Sequence, residues 1–183
     1  MLIELGGETL IARAWRTACE AFGAENCVVA IPASDENGPL SEHLISIDAS
    51  VDGFRGDEND VLGRFHGVAH FHRWHPDTVI VRYTPDDPFK SVEALRRVAG
   101  GERFPVELGG EAFTLAMLDA AQERETLHLK GWQWTSLGVV PINPNREHIT
   151  DALFPFRSPT LKGAGWTIDT PADYEAAKAR VAA

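Results

Sequence analysis

The feature that most constrains the fold is a junction between two hydrophobic periods. Residues 8–22 carry Leu10, Ile11, Ala14, Trp15, Ala18 and Phe22 on one helical face, and Gly23 cuts that period off. Five consecutive apolar residues follow, C-V-V-A-I at 27–31. The run is too short for a helix and does not alternate, so it predicts a strand buried on both faces. A helix leading directly into such a strand is the repeating unit of an α/β protein.

The unit recurs. Residues 40–47 predict a short helix, 51–54 a strand and 61–74 a helix with Val61, Leu62, Phe65, Val68, Ala69 and Phe71 on its apolar positions. Residues 78–83 are rich in β-branched side chains and predict a strand. Pro85 and Pro88 make 84–88 a loop, and Ser91 is placed to cap a helix over 91–99. A strand over 111–114, a helix over 115–123 and helices over 146–153 and 171–181 complete the series. Residues 127–145 fit no standard element. Trp132 and Trp134, two apart, suggest packing or a subunit contact there. Alternating strands and helices with short connections predict an α/β three-layer sandwich with a mostly parallel sheet. The 183 residues suffice for one domain.

The 17 basic and 27 acidic residues give a formal charge of −10, which argues against nucleic-acid or membrane-surface partners. No apolar run approaches the length of a membrane span, and no cationic-then-apolar leader is visible. Cys19 and Cys27 form no CxxC motif or disulfide framework, so a cytoplasmic setting is expected.

In open α/β sheets ligands bind at the carboxyl ends of the strands. The loops at 32–39, 55–60 and 84–88 all follow predicted strands, so Asp35, Glu36, Arg55, Asp57, Asp60, Asp86 and Asp87 are expected on one edge. The segment I-D-T-P-A-D-Y (168–174) puts Asp169 after a short apolar run and before a helix start. The residues alone allow two readings. Asp169 is either a metal post, or part of an ordinary helix entry with Thr170 as cap, Pro171 in the first turn and Asp173 at the positive end. His66, His70, His72 and His75 include an i,i+4 pair that suits zinc. Without cysteines, and with Phe65 and Phe71 interspersed, they read first as a solvated helix face. Lys90, a lone cation near the acidic loop, is expected at the surface.

Four motifs in order, R-G-D-E-N-D-V-L-G-R (55–64), V-R-Y-T-P-D-D-P (81–88), R-E-H-I-T (146–150) and I-D-T-P-A-D-Y (168–174), together resemble the cytidylyltransferase family. That family includes spore-coat polysaccharide biosynthesis protein F and the CMP-sugar-acid synthetases. G-G-E-T-L-I-A-R (6–13) is similar to its G-G-K-P-L-L-x-H segment. The resemblance implies a glycosyltransferase-A-like nucleotidyltransferase fold and transfer of CMP from CTP to a sugar or sugar acid. It implies a Mg²⁺ ion held by Asp86 and Asp169, a nucleotide near Arg55, Asp60 and Arg64, and Arg146 and His148 on the acceptor-sugar side. It also implies a homodimer.

There are departures from the pattern. The family's first strand and phosphate loop, A-R-x-x-S-x-R-L-P-x-K, have no counterpart before Gly6, so most CTP binding is expected to be lost. Pro85 replaces a glycine, and Gly109 stands where the family's G-L-D-x-E has its aspartate, although Glu111 is kept. The alternative implied is a non-catalytic homologue that binds a nucleotide, a sugar or a partner protein.

Overall fold

A computed structural model of the chain describes residues 1–54, 60–102, 104–129, 161 and 166–182. It opens with a hairpin, β1 (Glu4–Leu5) and β2 (Glu8–Thr9), which the helix-to-strand reading did not anticipate. Gly6 and Gly7 both have positive φ, +65° and +81°. Two such residues between paired strands make the tight turn that glycine alone takes without strain. Thr9 then caps α1 (Leu10–Phe22) by accepting a hydrogen bond from the Ala12 N–H.

From α1 the chain enters β3 (Val29–Pro32), α2 (Gly38–Ser46) and β4 (Val51–Phe54). Strands β3 and β4 are parallel, with Val29 opposite Val51 and Pro32 opposite Phe54. Ile31, Ile11 and Leu44 form their core, lined by Val29, Leu40, Ile47, Ala49 and Val51. The strand starts two residues later than expected, and only Ile31 of it is buried. Its neighbour among the described residues is β4 alone, so it is half-covered rather than enclosed.

The second half is built on α3 (Val61–Phe71), β5 (Val79–Arg82), α4 (Val92–Ala99), α5 (Val106–Gly109), β6 (Glu111–Thr114) and α6 (Leu115–Leu129). Strands β5 and β6 pair antiparallel, Val79 opposite Thr114 and Arg82 opposite Glu111. Leu62 and Ala69 of α3, Ile80 of β5, Phe113 of β6 and Leu115, Leu118 and Ala121 of α6 form one apolar cluster. Helix α4 docks on α1, where the Arg96 guanidinium donates to the carbonyls of Glu20 and Ala21 at 2.8 and 3.0 Å. The closing helix α7 (Pro171–Ala182) returns to the hairpin, and Tyr174 donates its hydroxyl to the Glu4 carbonyl.

The architecture is mixed α/β. Among the described residues the strands form three two-stranded ladders, of which only β3–β4 is parallel. Strand β6 runs antiparallel because α4 and α5 intervene and Gly110 turns the chain back along β5. No helix among the described residues is long and apolar enough to cross a membrane. The region of Trp132 and Trp134 and the helix expected over 146–153 lie outside the described residues.

Candidate functional site

The 84–90 turn is where the chemistry gathers. Pro85 and Pro88 remove two backbone donors, and the turn closes on a hydrogen bond from the Asp87 N–H to the Thr84 carbonyl. Asp87 is only 4% exposed and Lys90 only 5%, and the Lys90 ammonium is bonded to Asp87 Oδ2. The Thr84 hydroxyl donates to the same oxygen at 3.0 Å, and the Thr167 hydroxyl to Oδ1 at 2.7 Å. Burial pulls the Lys90 ammonium below the usual lysine range, with Asp87 opposing the shift. The expectation that Lys90 sits at the surface is therefore overturned. Its stem lies under Gly110 and its charge over the Tyr83 ring, 5.1 Å from the centroid. Across the ladder, Arg82 donates to Glu111 at 2.7 Å, and Glu111 is 2% exposed.

This buried network ties the turn to residues 166–168. The Ile168 N–H donates to the Asp86 carbonyl at 2.8 Å, and Trp166 packs edge-on against Phe89 with centroids 5.7 Å apart. Ile168, Phe89 and Tyr174 cover the cluster of Leu5, Leu10 and Ala177. The apolar run before Asp169 is a bend, tied to the turn by that backbone bond and by the Thr167 hydroxyl. The helix entry that follows matches its expectation. The Thr170 N–H and hydroxyl both donate to Asp173 Oδ2, at 2.9 and 2.7 Å, and the Asp173 N–H returns to Thr170 Oγ1.

The fold thus brings the loops of Asp86 and Asp169 side by side. Asp169 is exposed, whereas Asp86 is half-buried, and its Oδ1 is buried with no hydrogen-bond partner among the described residues. A buried acceptor left unpaired costs about 1–3 kcal/mol, more for a charged group. Carboxylate oxygens are also the donors that Mg²⁺ prefers, so the residues present suit such an ion.

The remaining candidates are distributed differently. Asp60 caps α3, accepting from the Gly63 N–H at 2.9 Å, and Arg64 follows in the first turn. A side chain at position 63 would collide with that capping carboxylate, which accounts for the glycine. Arg55, Asp57, Arg146 and His148 lie outside the described residues. At Gly109 a Cβ would sit 2.6 Å from Val98 Cγ2 and 2.8 Å from Phe104 Cβ, so these side chains fill the space an aspartate would need. Sequence reasoning missed Thr167 and the Arg82–Glu111 pair. The i,i+3 spacing of Asp87 and Lys90 was the one signal available for the buried ion pair.

The histidine cluster divides. His72 bonds Asp52 at 2.6 Å, and His75 lies near Asp77. His66 and His70 instead converge on Asp119 of α6, their Nε2 atoms 3.3 and 2.7 Å from the same Oδ1. Burial lowers the pKa of His66, helped by His70 and opposed by Asp119.

No family model matches the chain. Over 95 residues, 52% of its length, it is 30% identical to the uncharacterized protein MJ1063 of Methanocaldococcus jannaschii, and it spans 37% of that protein. A solved cytidylyltransferase from Leptospira borgpetersenii superposes over 99% of this chain and 79% of its own, with a TM-score of 0.70 at 21% identity. The fold is that of a cytidylyltransferase. In this cytidylyltransferase-like fold the 84–90 turn and the 166–169 bend form one unit, built around a buried Asp87 and presenting Asp86 and Asp169 at adjoining positions.

Proposed function

We propose that the chain is a nucleotidyltransferase that moves CMP from CTP to a sugar or sugar acid, its ladders forming one three-layer α/β domain over 1–183 that pairs as a homodimer. The observation that carries this reading is the Ile168–Asp86 backbone bond, which sets the Asp169 loop against a turn holding a buried carboxylate oxygen without a hydrogen bond among the described residues. Asp86 and Asp169 would hold Mg²⁺. When bound, the ion neutralises charge on the phosphate oxygens. A sugar oxygen attacks the α-phosphorus in line, the bond to the bridging oxygen breaks, and pyrophosphate leaves with that electron pair. The attacking hydroxyl gives up its proton, for which His148 is the candidate acceptor, with Arg146 orienting the sugar. Arg55, Asp60 and Arg64 serve the nucleotide.

A second reading, binding without transfer, is favoured by Gly109, where Val98 and Phe104 occupy the place of the expected aspartate. One set of measurements separates the two. Calorimetry with CTP should show weak binding that strengthens with Mg²⁺, and Asp86→Ala and Asp169→Ala should each remove that Mg²⁺-dependent gain. Pyrophosphate release with a panel of sugar acids then marks transfer, and nucleotide binding without release marks the second reading. Binding of CTP with the same Mg²⁺ dependence in both variants would sink the metal assignment.

A further inference from the structure

We infer that His66, His70 and Asp119 form a binding site for a divalent transition-metal ion of the zinc class, joining α3 to α6. The sequence supplies only half of it, two imidazoles one helical turn apart. The tertiary fold supplies the rest. Helix α6 packs on α3 through Leu118 and Ala121 against Leu62 and Ala69, and this places Asp119 opposite the imidazoles. One donor atom from each of the three residues lies within 4.8 Å of the others. The two rings approach to 4.3 Å between centroids, with their Nε2 atoms directed at one carboxylate oxygen.

The spacing can be compared with what a metal requires. Zinc–nitrogen and zinc–oxygen bonds of about 2.0–2.2 Å in a tetrahedron put neighbouring donors about 3.3–3.5 Å apart. The His66–Asp119 separation of 3.3 Å already meets this, and the His70–Asp119 separation of 2.7 Å must open by about 0.6 Å. The side chains are 32–51% exposed, so a rotation of Asp119 or His70 accomplishes that without disturbing the core. Two nitrogens and one oxygen are the donor set of an open zinc site, with water completing the coordination. Imidazole selects zinc, copper, nickel or iron over magnesium, which takes oxygen ligands. This site is thus chemically separate from the Asp86–Asp169 pair and does not depend on the proposed function.

The alternative is a plain hydrogen-bonded cluster in which Asp119 accepts from whichever imidazole carries a proton. Calorimetry with Zn²⁺ on the full, tag-free chain distinguishes the two. One equivalent should bind with micromolar or tighter affinity, and Co²⁺ in its place should give visible absorption bands of low-coordinate geometry. His66→Gln, His70→Gln and Asp119→Asn should each weaken binding at least about tenfold. His72→Gln, Asp86→Ala and Asp169→Ala should leave it unchanged. All three ligand positions are partly exposed, and circular dichroism confirms that the variants fold. Affinity weaker than millimolar, or binding that survives the three ligand substitutions, would overturn the assignment.

Discussion

Replacing Asp87 by asparagine tests whether the 84–90 turn is held by charge. Asparagine keeps the shape of the side chain and an oxygen for one threonine hydroxyl, but leaves the Lys90 ammonium buried at 5% exposure with no counter-charge at that position. Breaking one partner of a buried pair costs about 3–5 kcal/mol. Asparagine also makes one threonine bond neutral and removes the acceptor of the other, which adds about 1 kcal/mol. The expected loss of about 4–6 kcal/mol is a large part of the roughly 5–15 kcal/mol that holds a domain together. Urea denaturation followed by tryptophan fluorescence measures it. Lys90→Met should cost a similar amount, because it strands the carboxylate instead. The double variant should lose clearly less than the two singles combined. The pH dependence has a fixed sign. The folded pKa of Lys90 already lies below its unfolded value, and removing Asp87 pulls it lower still. The folded variant carries the full penalty at low pH and sheds it as pH rises towards the unfolded lysine value of about 10.4. The Asp87→Asn deficit should therefore shrink as pH rises through the alkaline range towards that value. Additive effects, a loss below about 1 kcal/mol, or a deficit that ignores pH would refute the ion-pair account.

Two further perturbations probe neighbouring features. Gly110 has φ +75°, and a Cβ there would strike the Arg82 carbonyl oxygen, so Gly110→Ala should cost about 3 kcal/mol or more in the same urea assay; a change within about 0.5 kcal/mol would contradict the geometry. Burial, with Cys19 and Glu25 adding to it, pushes the Cys27 thiol up to about 12. Its labelling by an aromatic disulfide reagent should be slow at about pH 8 and still accelerating at about pH 11, whereas a rate that levels off near the ordinary cysteine value of about 8.5 would refute the shift.

Local signals in the sequence translated well. Ser91 caps α4 as expected, its hydroxyl accepting from the Ala94 N–H, and Gly23 ends α1 where its period stops. The strand over 51–54 and the strand over 111–114 have the boundaries expected of them. Such features depend on chemistry within a few residues, which a sequence displays directly. The pairing of strands is different. The antiparallel β5–β6 ladder joins residues about thirty apart, and only α4, α5 and Gly110 determine its direction. The proximity of Asp119 to His66 and His70 was hidden for the same reason, since helix packing aligns them across 49 residues from His70. The hairpin was hidden by its two-residue strands, which are too short to show a period.

The Asp86–Asp87 dipeptide shows why a cluster of charges in a sequence does not declare a site. By residue type alone, apart from the family resemblance, the two carboxylates are equivalent and Lys90 is their solvated neighbour. In the fold they are divided. Asp87 faces inward, where one ammonium and two threonine hydroxyls occupy its oxygens, leaving little of it for a ligand. Asp86 gives its carbonyl to Ile168 and keeps a buried carboxylate oxygen without a donor among the described residues. A rigid scaffold beneath a carboxylate with spare coordinating capacity is what a metal site needs, because ligand positions must be fixed before the ion arrives. The first carboxylate is therefore the candidate ligand, and the second keeps it in place. On this reasoning Asp87→Asn should weaken Mg²⁺-dependent CTP binding even though Asp87 touches no ligand, and Glu at position 86 should preserve it better than Asn. If Asp87→Asn left that binding intact in a folded protein, the division of roles between the two residues would be wrong.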